Sequence, residues 1–395
     1  DNAGGSATQN IAKVSGGSIG GNVYGASVTK TSGSADVTQN TAEISGGSIT
    51  GSVYGGQNVG TGNADQNNVK LSGGSIAGSI YGGYAAGSGS AKDNSITITG
   101  GSIGHDIYGG YAAHGKTTGN TVNIGDGSHA LSAGTSIAGT IYGGNQADVK
   151  DNTLNVKTNA TAGNIAGFAK IKFELNGSLN SAQPMLRLTN GAATTGLDWA
   201  GVEAAPMPSH VTVKTYEPYQ LTLLHNSAGL NFVQGGKDTY APIGAKERVQ
   251  GDLEFVIDTD SHAAQARSVY LSGYQFQNNT GAAYTAADGT HSAAWGGRTA
   301  VGNTVTNNKL TVSGGSLTDA AYGGLVENHK RNASGPLPTG DAVKNTVILS
   351  SGANAAAVYG ADVRTRAGSA KENRAEMSGG SVTGNVYGAA LSADN

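Results

Sequence analysis

The sequence predicts an all-β protein: a right-handed parallel β-helix of coils of about 27 residues, with an irregular β segment in its middle. Three observations predict it: a motif that recurs at a fixed period, an asparagine–tyrosine spacing that holds while the rest varies, and a two-residue alternation of apolar side chains.

The motif comes first. SGGSIGGNVYGA, SGGSITGSVYGG, SGGSIAGSIYGG and TGGSIGHDIYGG follow one another; SGGSLTDAAYGG, SSGANAAAVYGA and SGGSVTGNVYGA come later. An Asn stands 14 residues before each motif Tyr, in the pairs Asn10/Tyr24, Asn40/Tyr54, Asn67/Tyr81, Asn94/Tyr108, Asn308/Tyr322, Asn345/Tyr359 and Asn373/Tyr387. From each Tyr to the next Asn the distance varies, so the 14-residue part is scaffold and the remainder a side that tolerates insertion. Asn120 to Tyr142 is 22; the extra residues, within GDGSHALSAG, predict a bulge. Asn152 opens a sixth coil that has Ala166 in place of Tyr, and Trp295 stands where a Tyr belongs.

Inside the scaffold, pairs such as Val69/Leu71, Ile96/Ile98 and Val347/Leu349 are apolar with a polar or small residue between, the pattern of a half-buried strand. Asn10, Asn40, Asn67, Asn94, Asn120, Asn308, Asn345 and Asn373 share the parity of those apolar positions. They are expected to point inward and bond coil to coil as a ladder, since a buried amide without a partner costs about 1–3 kcal/mol. Gly-Gly then breaks the strand, a second strand runs to the Tyr, and the Gly-Gly after it makes the next corner. Tyr24, Tyr54, Tyr81, Tyr108, Tyr142, Trp295, Tyr322, Tyr359 and Tyr387 align. If the strand runs straight they form an exposed aromatic stripe able to stack on sugars or a partner; if the chain bends there, as the Gly-Gly suggests, they stack inside the corner.

One coil cannot bury its own apolar face, but a stack can, at about 4.8 Å per coil. About four aliphatic side chains per coil, at roughly 1.5–3 kcal/mol each, offset the entropy of 65 glycines in 395 residues. Three parts follow: regular coils over 1–167, an irregular β segment over 168–274 that continues the solenoid with a hairpin or else forms a separate β domain, and regular coils again over 275–395. The residues after Tyr387 and up to Asn10 together span an ordinary loop of 18, so the chain is expected to be a slice of a longer solenoid whose end coils stack on one another.

Composition excludes several classes. There is no cysteine for a disulfide, metal or redox site, and a net charge of −3 gives no footprint for nucleic acid. No apolar run of about 20 residues predicts a membrane helix, and DNAGGSATQN lacks the basic and apolar regions of a signal peptide.

The SGGS-I-x-G-x-V-Y-G-G coils over 10–166 and 295–390, with the central order AGNIAGFAKIKFEL, PMLRLTNG and YQLTLLHNSAGL, resemble the passenger domains of bacterial autotransporters, the type V secretion adhesins. The resemblance implies secretion across the outer membrane as an unfolded chain, folding at the cell surface, and adhesion to a host-cell or bacterial receptor, protein or glycan, or to another copy. The family's C-terminal membrane barrel and serine-protease module are not found in this sequence.

Chemistry is sparse. The densest acidic set is Asp252, Glu254, Asp258 and Asp260, where a calcium site is conceivable against a plain solvated strand end; the eight His are isolated, and no nucleophile elbow or phosphate loop occurs. The expectation is a non-enzymatic protein without cofactor. Its rivals are a carbohydrate-active β-helix enzyme and a self-assembling fibre. The loop 325–341, carrying His329, Lys330 and Arg331, is the candidate binding loop.

Overall fold

A computed structural model of the chain describes residues 5–29, 34–176, 179–208, 211–233, 246–260, 266–327, 339–365 and 367–392. The regular elements among them are strands and two single-turn 3-10 helices, Trp199–Gly201 and Ala286–Asp288. The chain forms two compact β-solenoid units. The first comprises Asp1–Pro208, Thr222–Ala241 and Ala263–Val269; the second comprises Ser209–Leu221, Pro242–His262 and Tyr270–Asn395. The segment 168–274 is thus shared between the two units.

In the first unit one coil reads Ala64–Asp65, Asn68–Ile76 and Ile80–Ala85, and its neighbours repeat it in parallel register: Val69 pairs Ala42 and Ile96, and Tyr81 pairs Tyr54 and Tyr108. Every second side chain faces in. Val69, Leu71, Ile76 and Ile80 are each at most 1 % exposed, and so are Ile96, Ile98, Ile103 and Ile107 one coil on. These columns of four aliphatic residues per coil are the core.

Neither Gly-Gly is a corner, contrary to the sequence expectation. The first pair lies inside the long strand: Gly47, Gly74 and Gly101 take φ near +90°, and the pairing shifts there, which bends Asn68–Ile76 without ending it. The second pair lies inside Ile80–Ala85. A Cβ on Gly83 would sit 2.5 Å from Nδ2 of Asn94 and clash with the Ala64 carbonyl, so glycine here makes room for the inward amide.

The asparagines run down the interior. Oδ1 of each accepts from both the backbone N–H and the side-chain Nδ2 of the asparagine one coil before: Asn10 to Asn40 at 2.9 and 2.9 Å, Asn40 to Asn67 at 3.0 and 3.0 Å, Asn67 to Asn94 at 2.8 and 3.3 Å, and Asn94 to Asn120 at 3.0 and 3.1 Å. Asn120 passes the bond to Asn152, whose own Nδ2 ends the series on the carbonyls of Thr117 and Gly167. In the second unit Asn308, Asn345 and Asn373 repeat the pattern, and Asn279 extends it by donating its N–H to Asn308. The residue before each asparagine is left-handed, with φ between 55° and 61° at Gln9, Gln39, Gln66, Asp93, Asp151, Asn278, Asn307, Lys344 and Glu372, and 73° at Gly119. That left-handed residue swings the next side chain inward.

Beyond Phe168 the motif vanishes but the parallel pairing does not. Leu154 pairs Ile171, Ile171 pairs Val202, Ala160 pairs Leu186 and Leu186 pairs Leu224. A second polar column appears here: Asn226 Nδ2 donates to Thr194 Oγ1 at 2.9 Å, whose hydroxyl donates to Asn164 Oδ1 at 2.5 Å. In the second unit Lys246–Gln250 and Leu253–Thr259 form an antiparallel hairpin, and regular coils follow: Ala282–Tyr284, Lys309–Val312, Thr346–Leu349 and Arg374–Met377 stack in parallel. The insertion at 125–135 leaves the strands as a largely exposed loop between Thr121–Ile124 and Ser136–Gly144.

Candidate functional site

The feature that the repeat builds on its surface is a pair of tyrosine columns. In Ile80–Ala85 the residues alternate Ile80 in, Tyr81 out, Gly82 in. The strand therefore runs straight through the Tyr, and the rings stack on the outer face, not inside a corner as the Gly-Gly suggested. In-register pairing brings them together: ring centroids lie 5.0 Å apart for Tyr24–Tyr54, 4.8 Å for Tyr54–Tyr81, 5.1 Å for Tyr81–Tyr108 and 4.7 Å for Tyr108–Tyr142, with planes within 15° of parallel. Each ring is partly buried. Faces within the column cover one another, which leaves edges and hydroxyls to the solvent.

A second column escaped the sequence reading. Tyr84 and Tyr111 stack at 5.0 Å, and their planes cross the first column at 81–89°, at 5.2 Å for Tyr81–Tyr84 and 5.5 Å for Tyr108–Tyr111. The signal was present as YGGY in two successive coils, but the two tyrosines are three residues apart and strict alternation would turn the second inward; it stays on the outer side because Gly82 and Gly83 are both buried and break the alternation.

At Tyr24, Tyr108 and Tyr387 the residue two before meets the hydroxyl. Asn22 Nδ2 donates to Tyr24 at 2.7 Å, Asn385 Nδ2 to Tyr387 at 2.8 Å, and the Tyr108 O–H donates to Asp106 Oδ2 at 3.3 Å. Burial in the column pushes the Tyr54 phenol up to about 12, and raises Tyr81, Tyr84 and Tyr108 for the same reason, with the Asp106 charge adding to the last.

The second unit carries the same position differently. Trp295, Tyr322, Tyr359 and Tyr387 are in register, with Tyr322–Tyr359 at 5.2 Å and Tyr359–Tyr387 at 4.8 Å. Trp295 and Tyr322 are buried. Arg298 lies 4.5 Å over the Trp295 ring and Arg364 lies 5.6 Å over Tyr322. Glu327 holds both cations, at 2.7 Å to Arg298 and 3.2 Å to Arg364, and Asp362 pairs Arg364 at 2.9 Å.

The other sequence candidates divide. His329, Lys330 and Arg331 lie outside the described residues. Glu254 is fully buried and accepts from Thr299 Oγ1 at 2.5 Å, Ala300 N at 2.9 Å and Asn303 Nδ2 at 2.7 Å, so it anchors residues 299–303. Asp258 accepts from the next backbone N–H, Thr259, at 2.8 Å. Among the described residues no group of three or more His, Asp or Glu is placed to hold a metal ion.

A groove of about 410 Å3 runs over Lys13, Glu43, Lys70 and Thr97 on the outer face of the long strands. Glu43 sits between Lys70 at 3.1 Å and Lys13 at 3.5 Å, and Lys70 holds its carboxyl below the usual range. The 125–135 loop overhangs a neighbouring cavity of about 220 Å3; its Asp126 accepts from the backbone N–H groups of Ser128 and His129, which hold the carboxyl at about 2. No protein-family model, no curated protein and no solved structure matches the chain.

Proposed function

We propose that the chain is an extracellular β-solenoid of a bacterial surface protein, of the autotransporter-passenger kind, and that it acts as an adhesive spacer without catalysing a reaction. The observation that carries this is the unbroken outward tyrosine column over five successive coils, Tyr24 to Tyr142. A surface that repeats one contact every coil binds a repetitive partner with avidity that no single contact supplies. Because the ring faces are taken up within the column, the partner meets phenol edges and hydroxyls: a glycan or a receptor protein bound by hydrogen bonds, or another copy of the chain. The best-placed groove carboxylate, Glu43, is stabilised as the anion by its lysines, the opposite of what a general acid for glycoside cleavage requires.

The experiment is a glycan and cell-surface-protein array probed with the chain and with a Tyr54, Tyr81 and Tyr108 to Ala triple variant. Binding that the variant loses supports the reading. Product release from pectin or alginate would replace it with the enzyme reading, and blank arrays with concentration-dependent filaments would replace it with the fibre reading.

A further inference from the structure

We infer that the tyrosine columns are a site of oxidative cross-linking, at which a peroxide-driven one-electron oxidant joins tyrosines of adjacent coils as dityrosine. The chemistry follows from how the rings face each other. Loss of one electron and one proton from a phenol leaves a phenoxyl radical whose unpaired spin lies in p orbitals perpendicular to the ring, largely on the oxygen and on the ortho and para carbons. Two such rings couple when those lobes point at one another. Tyr54, Tyr81, Tyr108 and Tyr142 present stacked faces at 4.7–5.1 Å with planes 4–7° apart, and Tyr84 and Tyr111 do so at 5.0 Å and 7°. The crossed contacts Tyr81–Tyr84 and Tyr108–Tyr111 are almost as short, at 5.2 and 5.5 Å, but meet at 81° and 89° and turn the reacting lobes away from each other.

Tyr108 is the entry point. Its hydroxyl is the one in the column hydrogen-bonded to a carboxylate, Asp106 at 3.3 Å, which takes the proton as the electron leaves; Tyr24 instead meets an amide donor, Asn22. Stacked neighbours then exchange the radical along the column. A second oxidation on an adjacent ring gives a radical pair; an ortho carbon of each forms one carbon–carbon bond, and each ring returns its ortho hydrogen to its oxygen as a proton. Overall two phenols lose two electrons and two protons, and one hydrogen peroxide takes them up to give two waters. The product ties neighbouring coils covalently on a face that is partly open to solvent.

The test treats the full chain, dilute enough to be monomeric, with hydrogen peroxide and a haem peroxidase, then reads dityrosine fluorescence and maps linked peptides by mass spectrometry. Links are expected between Tyr54 and Tyr81, Tyr81 and Tyr108, Tyr108 and Tyr142, and Tyr84 and Tyr111, within single chains. Tyr81→Phe keeps the ring stack and loses the first two links while retaining Tyr108–Tyr142. Asp106→Asn lowers the early yield of all three column links, Tyr54–Tyr81 included, because the radical enters at Tyr108. Crossed Tyr81–Tyr84 or Tyr108–Tyr111 links as abundant as the column links, links solely between molecules, or no dityrosine at all would each overturn the proposal.

Discussion

Asn67 makes four hydrogen bonds from one buried side chain: Oδ1 accepts twice from Asn40, and Nδ2 donates to Val37 O at 2.9 Å and to Asn94 Oδ1 at 3.3 Å. Asn67→Ala orphans partners in both neighbouring coils, so a loss of about 3 kcal/mol is expected, the upper end for unsatisfied buried groups; urea unfolding would show it as a lower midpoint. The residue beside it stores strain of the opposite kind. Gln66 is left-handed at φ 58°, a conformation that β-branched residues adopt poorly, so Gln66→Val should cost about 1–2 kcal/mol while Gln66→Gly costs little. Gly119 already takes that place in one coil. The tyrosines add a pH dependence. An unfolded-chain phenol ionises near 10.0 and Tyr54 in the column at about 12, so the unfolded state loses its proton first. Stability is therefore full below pH 10 and declines between pH 10 and 12, which denaturant titrations across that range, followed at the phenolate absorbance, would register.

At the scale of the element, the constant 14-residue spacing made the inward asparagines and the strand alternation readable, because both follow from parity alone. The kinked strand was not readable that way. Whether Gly73–Gly74 ends a strand or bends it depends on the next coil, which keeps pairing Ser75 to Ser48 and Ser102 past the bulge. The role of Gly83 was hidden for the same reason, since its neighbour in space, Asn94, lies eleven residues on. Gly83→Ala should destabilise by about 3 kcal/mol, because backbone and a ladder amide bound the site and neither can retreat. In the second unit, Glu327→Gln removes the charge that holds Arg298 and Arg364. With Glu327 13 % exposed, the expected loss is about 2 kcal/mol, below that for a fully buried pair. Arg298 and Arg364 gave no sign in the sequence of covering Trp295 and Tyr322, because Glu327, which holds both, lies on a different coil from either; Asp362 alone is near in sequence, two residues before Arg364.

At the scale of the whole molecule, four large apolar side chains lie exposed in the first coil of the first unit and the last coil of the second: Ile11 at 69 %, Met377 at 45 %, Val386 at 44 % and Leu391 at 67 %. They accompany strand edges of the kind that template further pairing. We expect the isolated chain to associate head to tail, with scattering mass rising with concentration, whereas a strictly monomeric chain across the range would refute this. A different property follows from the asparagine ladder. Its bonds link residues 26 to 32 apart along the first unit, always to the adjoining coil. Strands lie across the stack and their hydrogen bonds along it, so a pull on the chain at Asn10 loads one coil's bonds at a time instead of shearing many together. The molecule would then peel. Each coil of about 27 residues would release a contour length of about 90 Å, and an optical trap should record the first unit as a staircase of near-equal steps, with a longer riser where the 125–135 loop pays out.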